Sequence, residues 1–289
     1  MDPAQTLIVF NAPVGGLAAN DANNAVREHT VASLINNSQD FTDPAFDQLK
    51  TGLNTWLLAK KAELGFGPDA PVRAVKRGGR RYNWDFDLII GDKTIKVEFK
   101  YGATSVESLP EFYNPAANYD FHAGESYAKF FYNGYLPQVC AIYGVPLDMT
   151  EKEYVAKVHG TSKKLLFAAL YEAEKNGTEQ QKAEKKLLAD QSIAAWLEQV
   201  KDKTDIAAIT RSFQKSQEGK HFMLYKDGQF YSDKIHPEEL IITSVVTVRR
   251  GKYLVLQSAK AGTTHEMLLR WKNHAGILYP AWQISMKRA

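Results

Sequence analysis

Cys140 is the only cysteine in 289 residues. No internal disulfide can form, and a reducing, intracellular setting is expected. Long apolar runs are also missing. Nothing approaches the roughly 18 residues that would span a bilayer, so no membrane partner is expected. The opening stretch MDPAQTLIVFNAPVGG has no basic segment ahead of its short apolar run, which argues against a signal peptide. The seven histidines are scattered and have one cysteine for company, which excludes a zinc site of ordinary spacing. Phosphate-cradling and nucleophile-elbow motifs are absent as well: there is no Gly-x-x-x-x-Gly-Lys-Ser/Thr and no Gly-x-Ser-x-Gly. Net charge is +3, too mild to identify a polyanion partner by itself, so the placement of charge matters more than its sum.

What is present suffices for a large core, with 44% apolar residues in an otherwise ordinary soluble composition. Three compositional zones follow one another. Residues 1–147 mix helix and strand. NDANNAVREHTVASLINN opens on cap-type residues and sets Val31, Leu34 and Ile35 on one helical face. PAFDQLKTGLNTWLLAKKAELGFG repeats the pattern with Phe46, Leu49, Leu53, Trp56 and Leu57. GESYAKFFYNGY reads as a further helix, and QVCAIYGV as a buried strand that closes the zone. Residues 148–220 are helical and charge-laced, the pattern of solvated helix faces. Residues 221–289 are β-rich, with a hairpin turn at Asp227-Gly228 and two strands in ELIITSVVTVRRGKYLVLQS.

The unusual stretch is NWDFDLIIGDKTIKVEFKYG, residues 83–102. Two apolar strands flank a tight turn, yet they carry Asp85, Asp87, Glu98 and Lys100. Strand periodicity puts all four on one face. A four-residue loop at Gly91–Thr94 would set Asp87 opposite Glu98, whereas a two-residue turn at Gly91-Asp92 would set Asp85 there. Directly opposed side chains have Cβ atoms about 5 Å apart, so like charges repel unless a cation lies between them. Carboxylates gathered in this way suit a hard cation such as Mg2+.

An Asp, a spacer of about ten residues, and Glu-x-Lys on a hairpin after a helix-rich segment resembles the PD-(D/E)XK nuclease superfamily, over roughly residues 15–147. Asn83 and Trp84 stand where that family often has a Pro beside its first acid. The resemblance implies an α/β, mixed α+β fold: a restriction-endonuclease-like core with a mixed sheet flanked by helices, extended by a helical region and a β-rich C-terminal region. It also implies a metal-dependent endonuclease that hydrolyses phosphodiester bonds, a DNA-binding hydrolase using magnesium, with Mn2+ as a substitute. Asp87 would be the first metal-binding acid, with Asp85 in its place if the register differs. Glu98 would be the second acid, the Phe99 carbonyl would complete the metal shell, and Lys100 would orient or polarise the attacking water. Relatives often add an acid from the opening helix, and here Glu28 continues the stripe of Val31 and Ile35.

DNA is the expected partner. Arg73, Lys76, Arg77, Arg80 and Arg81 fall within nine residues with no intervening acid, the pattern of a phosphate-binding segment. In LLRWKNHAGILYPAWQI, Arg270, Lys272 and Asn273 are side chains suited to base edges, with Gly276 and Pro280 suggesting a loop between two short strands. The C-terminal region would then serve target recognition or form a homodimer. Restriction-type cleavage of duplex DNA is the leading expectation. A structure-specific or mobile-element nuclease, or a non-catalytic nucleic-acid-binding protein that keeps the fold, are the alternatives.

Overall fold

Alternation of apolar and polar residues decides the first sheet. β1 (Val72–Lys76), β2 (Phe86–Ile90) and β3 (Lys93–Tyr101) form an antiparallel meander. β4 (Lys220–Lys226) then joins β3 in parallel, and β5 (Gln229–Asp233) closes the sheet antiparallel to β4. In this computed structural model the described residues are 2–13, 17–38, 41–77, 82–109, 121, 122, 124, 126–158, 168–274 and 277–289.

Ala74, Phe86, Leu88, Ile90, Ile95, Val97, Phe99, Met223 and Tyr225 turn one sheet face into a core. Helices α1 (Pro3–Asn11), α2 (Leu17–Ile35) and α3 (Asp47–Glu63) supply the other half through Phe10, Val31, Leu34, Ile35, Leu53 and Trp56. The helical stripes expected from the spacing are those that pack. One contact was not expected. Arg27 is 1% exposed and lies over the Tyr101 ring, 3.7 Å from its centroid. Its guanidinium donates to the carbonyls of Phe10 (2.9 Å) and Ala12, so it ties the end of α1 to α2.

The chain divides into two compact units, and the three compositional zones do not coincide with them. The first unit is discontinuous, Met1–Leu109 with Ser216–Ile235, because the sheet takes its last two strands from far along the chain. The second comprises Pro110–Lys215 and His236–Ala289. It contains α4 (Tyr127–Gly134), α5 (Leu136–Ile142), α6 (Glu151–Val158), α7 (Ala168–Lys175), α8 (Glu179–Val200) and most of α9 (Ile206–Gln217). Its sheet is the antiparallel series β6 (Ile242–Arg249), β7 (Tyr253–Ser258), β8 (Thr263–His274) and β9 (Ile277–Arg288).

Two expectations are corrected here. QVCAIYGV is no strand: it forms most of α5, begun by Pro137 at the first turn, where a missing N–H costs nothing. The segment 268–284 is no loop between short strands but the body of a twelve-by-twelve-residue hairpin. Arg270 is paired with Ala281, Lys272 with Tyr279 and Asn273 with Leu278. The side chains of residues 270–281 lie outside the described residues, so the placement of these three stops at the backbone.

Each unit has its own anchoring residue. In the second it is Glu239, 0% exposed, which accepts two bonds from the Arg288 guanidinium (2.8 and 3.0 Å), one from Lys260 (3.1 Å) and one from the His236 amide (2.8 Å). Burial alone would raise its pKa, but these donors outweigh it and hold the carboxyl at about 2. A carboxylate depressed in the folded state stabilises above its unfolded pKa and loses that contribution as pH falls through 4.5 towards 2. Glu239→Gln should therefore lower the thermal midpoint at pH 7 and leave it nearly unchanged at pH 2, as calorimetry at both pH values would establish.

In the first unit the anchor is the turn. Ile90 pairs with Lys93, which leaves Gly91-Asp92 as a two-residue connection. Gly91 has φ +57, and a Cβ there would lie 2.6 Å from the Phe66 ring. Gly91→Ala should cost about 1–3 kcal/mol, from the left-handed backbone and the displaced ring together. Urea unfolding of the variant tests this, and an unchanged midpoint would mean that the turn tolerates a side chain.

Candidate active site

The turn length selects between the two registers open to the hairpin. Asp87 stands opposite Lys96 and Phe86 opposite Val97, where the regular ladder ends; the Asp85 amide then bonds the Val97 carbonyl at 3.0 Å, one residue out of step with that pairing. Asp85 lies beyond the end of β2, with its carboxylate on the Phe99 amide and within electrostatic reach of Glu98. The two-residue turn is the register under which Asp85, not Asp87, is the expected acid beside Glu98. Asp87 is used elsewhere: its carboxylate accepts from Arg77 Nε (2.7 Å) and from the Trp84 indole N–H (2.7 Å). It fastens the strand end to the segment before it.

Glu98 and Lys100 share one face of β3 with Lys220 at the start of β4, and Asp85 lies beside them just before β2. Glu98 is 8% exposed. Its Oε1 lies 2.7 Å from Lys100 Nζ and its Oε2 3.4 Å from Lys220 Nζ. Burial drives the Glu98 pKa up, but the two ammonium groups drive it down further, so Glu98 is ionised. Burial lowers the Lys220 pKa, and Glu98 only partly restores it. Asp85 has the opposite balance. Burial comes first, then the charges of Glu98 and Glu28, and Lys100 and the Phe99 amide do not offset them. Its pKa is pushed up to about 8.

Asp85 Oδ2 accepts the Phe99 amide at 2.8 Å. In an extended strand the N–H and C=O of one residue point to the same edge. The Phe99 carbonyl is thus directed to the side where the Asp85 carboxylate sits, as its proposed place in a metal shell requires. Glu28 is half-buried on α2, its carboxylate 3.8 Å from Lys76 Nζ. Burial raises its pKa, the positive charges of Lys76 and Lys100 lower it, and Glu98 raises it, so Glu28 lies within electrostatic reach of the hairpin acids.

The donors Asp85, Glu98, Glu28 and the Phe99 carbonyl are hard oxygens of the kind Mg2+ takes. Burial is the main reason that the Asp85 pKa is raised, and the charges of Glu98 and Glu28 add to it; a cation would offset that second part. The donors are not drawn together as a finished shell, however. Among the described residues no three His, Cys, Asp or Glu side chains form a group that could hold a metal ion. The physical reason is visible at Glu98, where lysines hold both oxygens, and at Asp85, which is turned to a backbone amide.

The basic segment is only partly assembled. Arg73 and Lys76 are exposed on β1, which is an edge strand of the sheet. Arg77 is exposed too but is tied to Asp87. Arg80 and Arg81 lie outside the described residues. Sequence reasoning missed Lys220, which opens β4. The burial of an ammonium beside β3 could be found only from the long-range pairing of Lys96 with Lys220. No protein-family model, curated protein or solved structure matches this chain.

A carboxyl whose folded pKa is raised destabilises the fold as pH rises from its unfolded value, near 4, to its folded one. Asp85→Asn keeps an acceptor for the Phe99 amide and removes the charge. It should raise the thermal midpoint at pH 8.5 and leave it unchanged at pH 3.5. Asp87→Ala should lower it at both, since it leaves the half-buried Trp84 N–H without an acceptor, at a cost of about 1–3 kcal/mol. Melting curves for both variants at both pH values test the assignment, and a destabilising Asp85→Asn at pH 8.5 would contradict it.

Proposed function

We propose that the first unit is a divalent-metal-dependent DNA endonuclease that hydrolyses phosphodiester bonds, with restriction-type cleavage of duplex DNA as the form the family resemblance favours. The observation that carries the reading is Asp85 gathered beside Glu98 at the end of a two-residue hairpin, with Lys100 bonded to Glu98. Asp85, Glu98, Glu28 and the Phe99 carbonyl would hold Mg2+. When bound, the ion would supply electrostatic stabilisation and an acidified water.

The chain's own residues do the rest. Lys100 Nζ orients the water that adds to phosphorus as the bond to the leaving oxygen breaks. Lys100 and Lys220 carry positive charge close to the negative charge that builds in the phosphorane-like transition state. Arg73 and Lys76 offer phosphate contacts along the β1 edge, and such contacts make affinity fall with salt. The salt bridges on both Glu98 oxygens favour a second reading, a nucleic-acid-binding module that keeps the fold without catalysis.

Nicking of supercoiled plasmid in Mg2+ distinguishes the two. Asp85→Ala, Glu98→Ala and Lys100→Ala should each lower the rate by about 100-fold or more, the scale of losing one transition-state contact. Asp87→Ala should stay active at temperatures where it is folded. Glu28→Gln should raise the Mg2+ concentration needed for half-maximal cleavage. Wild-type protein that binds plasmid without nicking it in Mg2+ or Mn2+ would favour the binding module. Full activity in Lys100→Ala would remove the proposed mechanism.

A further inference from the structure

The lysines of α8 have the spacing of a solvated helix face, yet the fold puts several of them on the wall of a cleft. Lys182, Lys185, Lys186, Ala189, Asp190 and Ile193 recur every three or four residues and line one side. Lys252, Tyr253, Leu268 and Leu269 from the β6–β7 turn and the sheet form the other, and Glu174 of α7 closes an end. The cleft lies wholly within the second unit and measures about 530 Å³, a size at which small molecules are bound.

The lining divides by chemistry. Ile193, Leu269 and Ala189 are buried and make an apolar floor. Cations crowd the rim. Lys185 is paired with Glu174, and Lys252 with Asp190 at 2.8 Å. Among the described residues Lys182 pairs with Glu179 (3.0 Å), a carboxylate outside the cleft that is 92% exposed and so competes weakly. Four ammonium groups against two carboxylates leave the lining positive by two charges.

The turn carrying Lys252 is firmly seated. Arg250 and Gly251 both have positive φ, and a Cβ on Gly251 would come within 3.0 Å of Ala194 on α8.

We infer that this cleft binds a small organic anion, with a phosphate or carboxylate head against Lys182 and Lys186 and an apolar body on the Ala189–Ile193–Leu269 floor. Two kinds of molecule share that chemistry, a mononucleotide and an acyl chain. The site is independent of the nuclease reading, since none of its residues belongs to the first unit.

The probe is 1-anilinonaphthalene-8-sulfonate, itself an apolar body with an anionic head, titrated by fluorescence into the full-length protein. Saturable one-site binding is expected. Either adenosine 5′-monophosphate or decanoate should displace the probe, and which of them does so identifies the kind of ligand. Inorganic phosphate and 1-decanol, each with half the chemistry, should displace it poorly. Lys182→Glu with Lys186→Glu should weaken binding about tenfold or more, equivalent to about 1.4 kcal/mol, whereas arginine at both positions should preserve it. If the glutamate variant fails to fold by circular dichroism, the salt dependence of the wild type decides instead: affinity should fall as NaCl is raised from 50 mM to 500 mM. Equal binding in the folded glutamate variant, equal displacement by 1-decanol, affinity indifferent to salt, or no saturable binding would overturn the inference.

Discussion

Turn length in one hairpin governs the candidate site. With two residues between β2 and β3, Ile90 meets Lys93 and every pairing behind it follows. Asp85 then reaches the Phe99 amide and lies among the charges of Glu98 and Glu28, while Asp87 is released to hold Arg77 and Trp84. With two more residues in the turn the roles of the acids would exchange, although every side chain would keep its face. Gly91 is the residue that holds the shorter turn, through its positive φ and its closeness to Phe66.

That explains what could be read in advance and what could not. Patterns of period two and period 3.6 report which face a residue takes, and on that basis the stripes of α2 and α3, the Asp227-Gly228 turn and the shared face of Asp85, Asp87, Glu98 and Lys100 were all legible. Register is a different quantity. Both candidate acids share a parity, so alternation cannot choose between them, and only the backbone at Gly91 can. QVCAIYGV was misread because a short apolar run carries no period that separates a strand from a helix. Lys220 was missed because its meaning depends on β4 lying beside β3, a partner far away in the chain. The α8 lysines do have the spacing of a surface face, and what turns part of it into a cleft wall is the sheet strand and turn set against it.

The two units treat a buried carboxylate in opposite ways. Glu239 is given an Arg fork, a Lys and an amide, which hold it ionised and make it a fastening for the end of β9. Asp85 is buried with one amide and two neighbouring like charges, and its pKa is raised, burial first and the charges second. Fully satisfied charge suits a structural role; charge left in conflict suits a site awaiting something positive.

The parallel pairing of β3 with β4 carries a consequence for biosynthesis. β3 ends at Tyr101 and β4 begins at Lys220, with most of the second unit encoded between them. On the ribosome, the β1–β3 meander emerges first with Glu98 facing Lys100 alone, and the strand edge that β4 will cover stays bare while the long intervening segment is translated. Contacts so distant in sequence form slowly, and an uncovered strand edge invites wrong partners. The nascent protein therefore passes through an interval in which its catalytic candidates exist but half their electrostatic setting does not, and Lys220 arrives together with the strand that ends that exposure.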